Sequence, residues 1–313
     1  MAAELGTGDH RYQEQSDWGH LPKGWSYREV PDVAVDRRDR VHVLSRGEHP
    51  VIVFEADGTF VGTWGEGMFR RPHGLTLGAD DCLWCVDDAG HAVYKCNLEG
   101  KVLLALETPG QPAPAQSGRP FNLPTKVAVH PRTGEVYVSD GYGNARVHKY
   151  SAEGRHLLSW GDYGVDPGQF NLPHSLCTDA AGRVYVADRE SHRVQVFDEH
   201  GRYLTQWNNL HRPCGIHIHG DRAYVGQLLT HLAVNEAYPN LGACVTVHDL
   251  TGSQLARLGG RRPGEGPGQF TTPHGLAVDS RGDLYVGEVS WSAYGSRLSP
   301  PRQARCLRKL VRL

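Results

Sequence analysis

One line of sequence recurs six times along this chain of 313 residues, and it constrains the fold more than any other feature. The line is an apolar stretch, a turn carrying Asp or Gly, and a second apolar stretch ending in a polar residue. It reads "DVAVDRRDRVHVLSR" from Asp32, "GLTLGADDCLWCVDD" from Gly74 and "KVAVHPRTGEVYVSDG" from Lys126. It returns as "SLCTDAAGRVYVADR" from Ser175, "GIHIHGDRAYVGQ" from Gly215 and "GLAVDSRGDLYVGEV" from Gly275. The copies are spaced by about 40 to 60 residues, near the period of propeller blades. Most continue into a third stretch such as "RVQVFD" and a fourth such as "RHLLSWG". Four short antiparallel strands per unit make one blade.

The pattern therefore predicts an all-β, six-bladed β-propeller. The last unit, ending "ARCLRKLVRL", supplies a third strand without a fourth, whereas "RYQEQSDWGHLPKGW" near the start resembles a fourth strand without the first three. The expectation is that the segment around Tyr12 to Trp18 completes the last blade and closes the ring. Residues 1–8 are read as a flexible N-terminus and 9–313 as a single propeller domain. Two insertions, Pro109 to Pro120 and Leu228 to Gly242, read as surface loops with binding roles. Trp64 and Trp160 end fourth strands and read as packing anchors.

Aligning the copies puts His73, His174 and His274 in one column, each after a proline and just before the first strand. The other three units carry Pro31, Thr125 and Cys214 there. Histidines in alternate blades lie about 120° apart around a six-fold axis, so three imidazoles can converge on a central channel. Three nitrogen ligands with an open fourth position are what catalytic zinc uses, although cobalt, nickel or iron also accept imidazoles. The competing reading is that Pro-His belongs to a repeat consensus and the rings only hydrogen-bond loop carbonyls. A repeat-wide role would not skip every second blade.

A second column, at the end of the second strand, faces the same rim: Arg46, Asp88, Gly141 and Arg189, with Tyr142 one step on. Two arginines facing a metal suit a carboxylate, which guanidinium grips bidentately. A tyrosine there can exchange a proton, or coordinate a cation that lowers its pKa. The bland alternative pairs the arginines with Glu48, Glu190 or Asp188.

Composition excludes several classes. Lys plus Arg number 33 against 35 Asp plus Glu, so there is no basic excess for a nucleic acid or an anionic membrane. No apolar run reaches the ~18 residues of a membrane span. The N-terminus lacks the pattern of a signal peptide, and seven cysteines are scattered, which predicts a cytoplasmic protein with reduced thiols. Cys82 and Cys85 form a C-x-x-C, but in a strand, where positions three apart face opposite sides. His217 and His219 alternate with isoleucines and read as packing residues. The sequence carries no signal for an oligomeric state.

The segment "PTKVAVHPRTGEVYVSDGYGNARVHKYS…GQFNLPHSL…VYVADRESHRVQVF", from Pro124 to Phe197, resembles the NHL-repeat propellers. Within them it is similar to peptidyl-α-hydroxyglycine α-amidating lyase, whose "VSDGY-x-N-x-R", "PHSL" and "VADRE-x-x-R" signatures it shares. "SRGEH" from Ser45 and two copies of "PHGL" extend the likeness over nearly the whole chain. The resemblance implies a zinc ion on His73, His174 and His274, Arg46 and Arg189 near the substrate, and Tyr142 as the acid–base group. It implies cleavage of a small-molecule or peptide-like carbinolamide bearing a carboxylate, R–CO–NH–CH(OH)–COO⁻, to an amide and glyoxylate. It also implies a structural calcium on the carbonyls of Val33 and Leu75 and on an Asp after the third histidine. Here that residue is Gly275, which leaves Asp32, in the same column of another blade, as the candidate carboxylate. Gly143 stands where the family has a disulfide cysteine.

Two rival readings stay open. One is a non-enzymatic NHL propeller binding a protein or RNA, and the other is a lactonase-like propeller hydrolase built on calcium. The segment "EVSWSAYGSRLSPP" replaces a tight turn with a loop on the histidine rim, where it would cover the channel mouth.

Overall fold

A computed structural model describes residues 3–236 and 238–313. The repeats become six sheets, numbered here as blades in chain order. Blade 1 holds strands Asp32–Val35, Val41–Leu44, Val51–Phe54 and Phe60–Trp64. Blade 2 holds Pro72–Leu77, Leu83–Asp87, Ala92–Cys96 and Val102–Leu106, and blade 3 holds Lys126–Val129, Val136–Asp140, Arg146–Tyr150 and His156–Trp160. Blade 4 holds Pro173–Thr178, Val184–Asp188, Arg193–Phe197 and Tyr203–Trp207, and blade 5 holds Pro213–His219, Arg222–Gln227, Cys244–Asp249 and Gln254–Leu258. Blade 6 holds Pro273–Val278, Leu284–Glu288 and Leu307–Arg312. The fold is a six-bladed β-propeller, as the repeats predict.

The last blade is completed from the N-terminus. His10–Gln15 pairs antiparallel with Leu307–Arg312, matching Tyr12 to Arg312 and Gln15 to Lys309. A fifth strand, Glu4–Thr7, pairs with His10–Gln15 in turn. That strand lies in the segment expected to be flexible; of that segment, Met1 and Ala2 are outside the described residues.

Second strands such as Val136–Asp140 and Val184–Asp188 are buried along their whole length, because both faces are covered. This is why they read as continuous apolar runs instead of alternating ones. Fourth strands such as Tyr203–Trp207 are mostly exposed and tolerate polar residues.

The chain divides into two compact units. In the unit Gly65–Gly220, Trp84, Val86 and Val93 of blade 2 pack on Val127, Val136 and Val138 of blade 3. Tyr137 and Val147 of blade 3 pack on Leu176 and Val184 of blade 4. In the unit formed by Met1–Trp64 and Asp221–Leu313, Tyr12, Leu276 and Val286 of blade 6 pack on Tyr224 and Val245 of blade 5. Trp18 and Tyr285 pack there on Val33, Val43 and Phe54 of blade 1.

Candidate metal centre

In the three histidine-bearing blades, the first strand slips register at the histidine. Pro72 pairs with Asp87 but Gly74 with Val86; Pro173 pairs with Asp188 but Ser175 with Ala187; Pro273 pairs with Glu288 but Gly275 with Gly287. The extra residue is the histidine each time, and a bulge of this kind re-aims a side chain out of the alternating pattern. Blades 1 and 3 run in regular register from Asp32 and Lys126.

The acid paired with each proline holds the approach to the bulge. Asp87 accepts from the amides of Arg70 and Arg71 at 2.8 and 2.7 Å. Asp188 accepts from Asn171 and Leu172 at 2.8 and 3.1 Å, and Glu288 from Thr271 and Thr272 at 2.6 and 2.9 Å. Arg193 and Arg308 neutralise the latter two carboxylates through Nε at 2.9 and 2.6 Å. Sequence reasoning gave none of these three acids this positioning role, although they stand visibly at the ends of second strands.

The three histidines are almost fully buried, at 2%, 1% and 7% relative exposure for His73, His174 and His274. Each Nδ1 meets the carbonyl of the residue that holds its own column in the next blade. His73 Nδ1 lies 2.7 Å from Thr125 O, His174 Nδ1 2.8 Å from Cys214 O, and His274 Nδ1 2.6 Å from Pro31 O. A carbonyl only accepts, so each Nδ1 carries the proton and each Nε2 keeps the lone pair of a metal ligand. As the competing reading expected, one nitrogen of each ring hydrogen-bonds a loop carbonyl.

Tyr142 stands against two of the Nε2 atoms. Its hydroxyl stands 3.1 Å from His73 Nε2 and 2.9 Å from His174 Nε2, and the two rings lie 4.9 Å apart between centroids. One phenolic proton faces two lone pairs. A cation bound to both nitrogens removes that conflict, so the donor set fits a metal that takes imidazole.

Arg189 lies beside the same tyrosine, its guanidinium carbon 5.7 Å from the ring centre. Burial works to lower the Arg189 pKa, but Tyr142 and Cys214 in their ionised forms, together with the Glu190 carboxylate, outweigh it and hold the group above its ordinary value. Its Nε donates to Glu190 Oε1 at 2.7 Å. Burial alone would raise Glu190, yet Arg212, which donates to both carboxylate oxygens at 3.0 and 2.8 Å, and Arg189 hold its pKa down at about 2. Arg46 donates to Glu29 Oε1 at 2.8 Å, a partner that sequence reasoning did not name. Glu29 also accepts from the amide and hydroxyl of Ser292, each at 2.7 Å. The segment after Glu288 is therefore a helical turn, Ser290–Ala293, pinned to the arginine's partner. Asp88 is fully buried and accepts from Arg71 Nε at 2.6 Å.

Two of the residues named for calcium already take part in hydrogen bonds. The Leu75 carbonyl accepts from Lys126 Nζ at 2.8 Å. The Asp32 carboxylate accepts from the Val33 amide at 3.0 Å. The C-x-x-C does not act as a unit: Cys82 is part-exposed, while Cys85 is buried with its thiol hydrogen-bonded to Cys96. The insertion from Pro109 to Pro120 helps line an open cavity of about 620 Å³, bounded also by Glu107, His156 and Ser159.

Geometry and repeat together define an NHL-type propeller, and the comparisons agree. The NHL repeat model matches residues 121–150 and 170–197. Human NHL repeat-containing protein 3 is 33% identical over 279 residues, covering 82% of this chain and 76% of that protein. The chain belongs to this family of NHL-repeat proteins. It also resembles the Drosophila melanogaster peptidyl-α-hydroxyglycine α-amidating lyase 1, at 34% identity over 285 residues, 82% of this chain and 50% of that protein. It thus spans half the length of that relative. Among solved structures, a gluconolactonase from Xanthomonas campestris superposes with a TM-score of 0.62 at 14% identity, over 97% of this chain and 90% of that one. That likeness establishes the fold alone.

Proposed function

We propose that this chain is a zinc-dependent carbon–nitrogen lyase acting on a carbinolamide of the α-hydroxyglycine type, which it splits into an amide and glyoxylate. In this reading His73, His174 and His274 hold one ion through Nε2. They are the group of His, Cys, Asp and Glu side chains, among the described residues, suited to hold a metal ion. The observation that carries the reading is the phenol of Tyr142 set between the Nε2 atoms of His73 and His174. The resemblance to the Drosophila lyase supports the reaction class.

When bound, zinc would act as a Lewis acid that makes a coordinated hydroxyl easier to deprotonate. Tyr142 takes the hydroxyl proton of the substrate and returns it to the amide nitrogen as the C–N bond breaks. The carbinol carbon becomes the aldehyde of glyoxylate, so atoms and electrons balance without an oxidant or a second substrate. The Arg189 guanidinium stabilises the charge that develops on the phenolic oxygen, and Arg189 and Arg46 bind the substrate carboxylate. A reducing compartment, the cytoplasm, goes with this reading, because the seven cysteines are free thiols.

The test is metal content by mass spectrometry on wild type and His174→Ala, purified without added metal, followed by glyoxylate release from an N-acyl-α-hydroxyglycine. About one zinc per wild-type chain, lost together with activity in the variant, is expected. A folded wild type carrying no transition metal and releasing no glyoxylate would overturn the reading in favour of a binding propeller.

A further inference from the structure

The calcium that the family resemblance implies does not fit these residues. Calcium takes six to eight oxygen ligands at about 2.3–2.6 Å. Leu75 O already accepts from the ammonium of Lys126, and a second cation on that oxygen would stand within about 5 Å of the first. An ammonium has three donors and no lone pair, so it cannot join a calcium shell. The family's Asp after the third histidine has no room either. A Cβ on Gly275 would run into the Cα and carboxylate of Asp32 and come within 2.8 Å of Pro31 O. Backbone atoms cannot swing aside as a flexible side chain would.

The column just past the histidines explains how the exchange is encoded. It reads Asp32, Gly74, Lys126, Ser175, Gly215 and Gly275: four small residues, one anion and one cation. Lys126 is part-buried, and its charge is felt in the surrounding interior. Burial first, and then this ammonium, hold the His217 pKa down at about 3. Burial pushes the Cys177 thiol up, while the same ammonium pulls it back.

We propose that the Lys126 ammonium is a built-in replacement for the structural calcium, tying blade 3 to the blade 2 carbonyl of Leu75 and making the fold independent of calcium. This does not rest on the lyase reading, since it concerns stability and calcium binding only.

Thermal unfolding of the full chain, with excess calcium and with a calcium chelator, tests it alongside calcium titration calorimetry. Wild type is expected to bind no calcium and to unfold at the same temperature in both buffers. Lys126→Met is expected to unfold several degrees lower in both, with Lys126→Arg, which keeps a cation, close to wild type. A site filled at a thousandfold above its Kd would raise the folded-to-unfolded ratio about a thousandfold. A calcium-dependent rise of that order in wild type, roughly six degrees for a chain of this length, would overturn the proposal. So would a Lys126→Met variant as stable as wild type in chelator.

Discussion

Blades 2, 4 and 6 begin with Pro-His and a register slip, whereas blades 1 and 3 begin in regular register with an aspartate and a lysine. The first kind aims an imidazole out of the sheet. The second kind, together with blade 5, offers a backbone carbonyl to the Nδ1 of the histidine before it. Donor and acceptor blades therefore alternate along the chain. The repeat is a scaffold of three matched pairs, and the Pro-His column is what breaks the six-fold pattern.

The sharpest way to break that comparison is to keep the donor blades intact and remove what stands between two of them. Tyr142→Phe preserves the ring but loses the hydroxyl facing both Nε2 atoms. General acid–base catalysis contributes about 10²–10⁴-fold, so kcat for glyoxylate release is expected to fall by that factor with zinc content unchanged. Loss of zinc with the hydroxyl would make Tyr142 a ligand instead. A smaller effect is expected at Arg189. Its charge-assisted hydrogen bonds are worth roughly 1.5–3 kcal/mol, so Arg189→Ala should raise KM about ten- to a hundredfold. Arg189→Lys should recover part of that; equal KM values for wild type and Arg189→Ala would remove the residue from carboxylate binding.

The donor column was legible because Pro-His before an apolar run is a side-chain signal repeated at matching points. The N-terminal strand of blade 6 was legible because the segment resembles a fourth strand without the first three, while the last unit lacks a fourth. The acceptors were not legible: Pro31, Thr125 and Cys214 contribute carbonyls, and a carbonyl leaves no mark on residue type. Arg46 donates to Glu29, on the strand approach before it, a partner that local spacing did not point to. Contacts across the interval between repeat elements are invisible to local spacing. Lys126 was overlooked for a different reason. It reads as the polar start of a strand until its column is compared across blades.

A third prediction uses the residue after each histidine. Gly74 and Gly275 pass close to the following blade, and a Cβ on Gly74 would come within 2.6 Å of Thr125 O. Blade 4 has Ser175 there, buried, with its hydroxyl 3.4 Å from the Ile216 amide. Overpacking of this kind costs about 1–3 kcal/mol, so Gly275→Ala should lower Tm by several degrees. Ser175→Gly opens space instead and should cost about 1 kcal/mol or less. Equal losses in the two variants would show that the blades share one spacing after all.

The smallest effect is expected from a histidine outside the donor column. His217 sits half-buried on the first strand of acceptor blade 5, with its pKa lowered to about 3 by desolvation, then by Lys126 and His219. An ordinary histidine titrates at about 6.5. The unfolded chain therefore takes up this proton first as pH falls. The corresponding stability is fully present above about pH 6.5 and is lost as pH drops toward 3, at up to about 1.4 kcal/mol per unit. His217→Val removes that slope. Between pH 6.5 and 4.5 its Tm should decline more gently than that of wild type, with zinc content unaltered. Parallel Tm curves would mean that His217 takes up its proton in the folded state as readily as in the unfolded one. Loss of zinc in the variant would extend the metal site beyond the Pro-His column, which would end the separation between donor and acceptor blades.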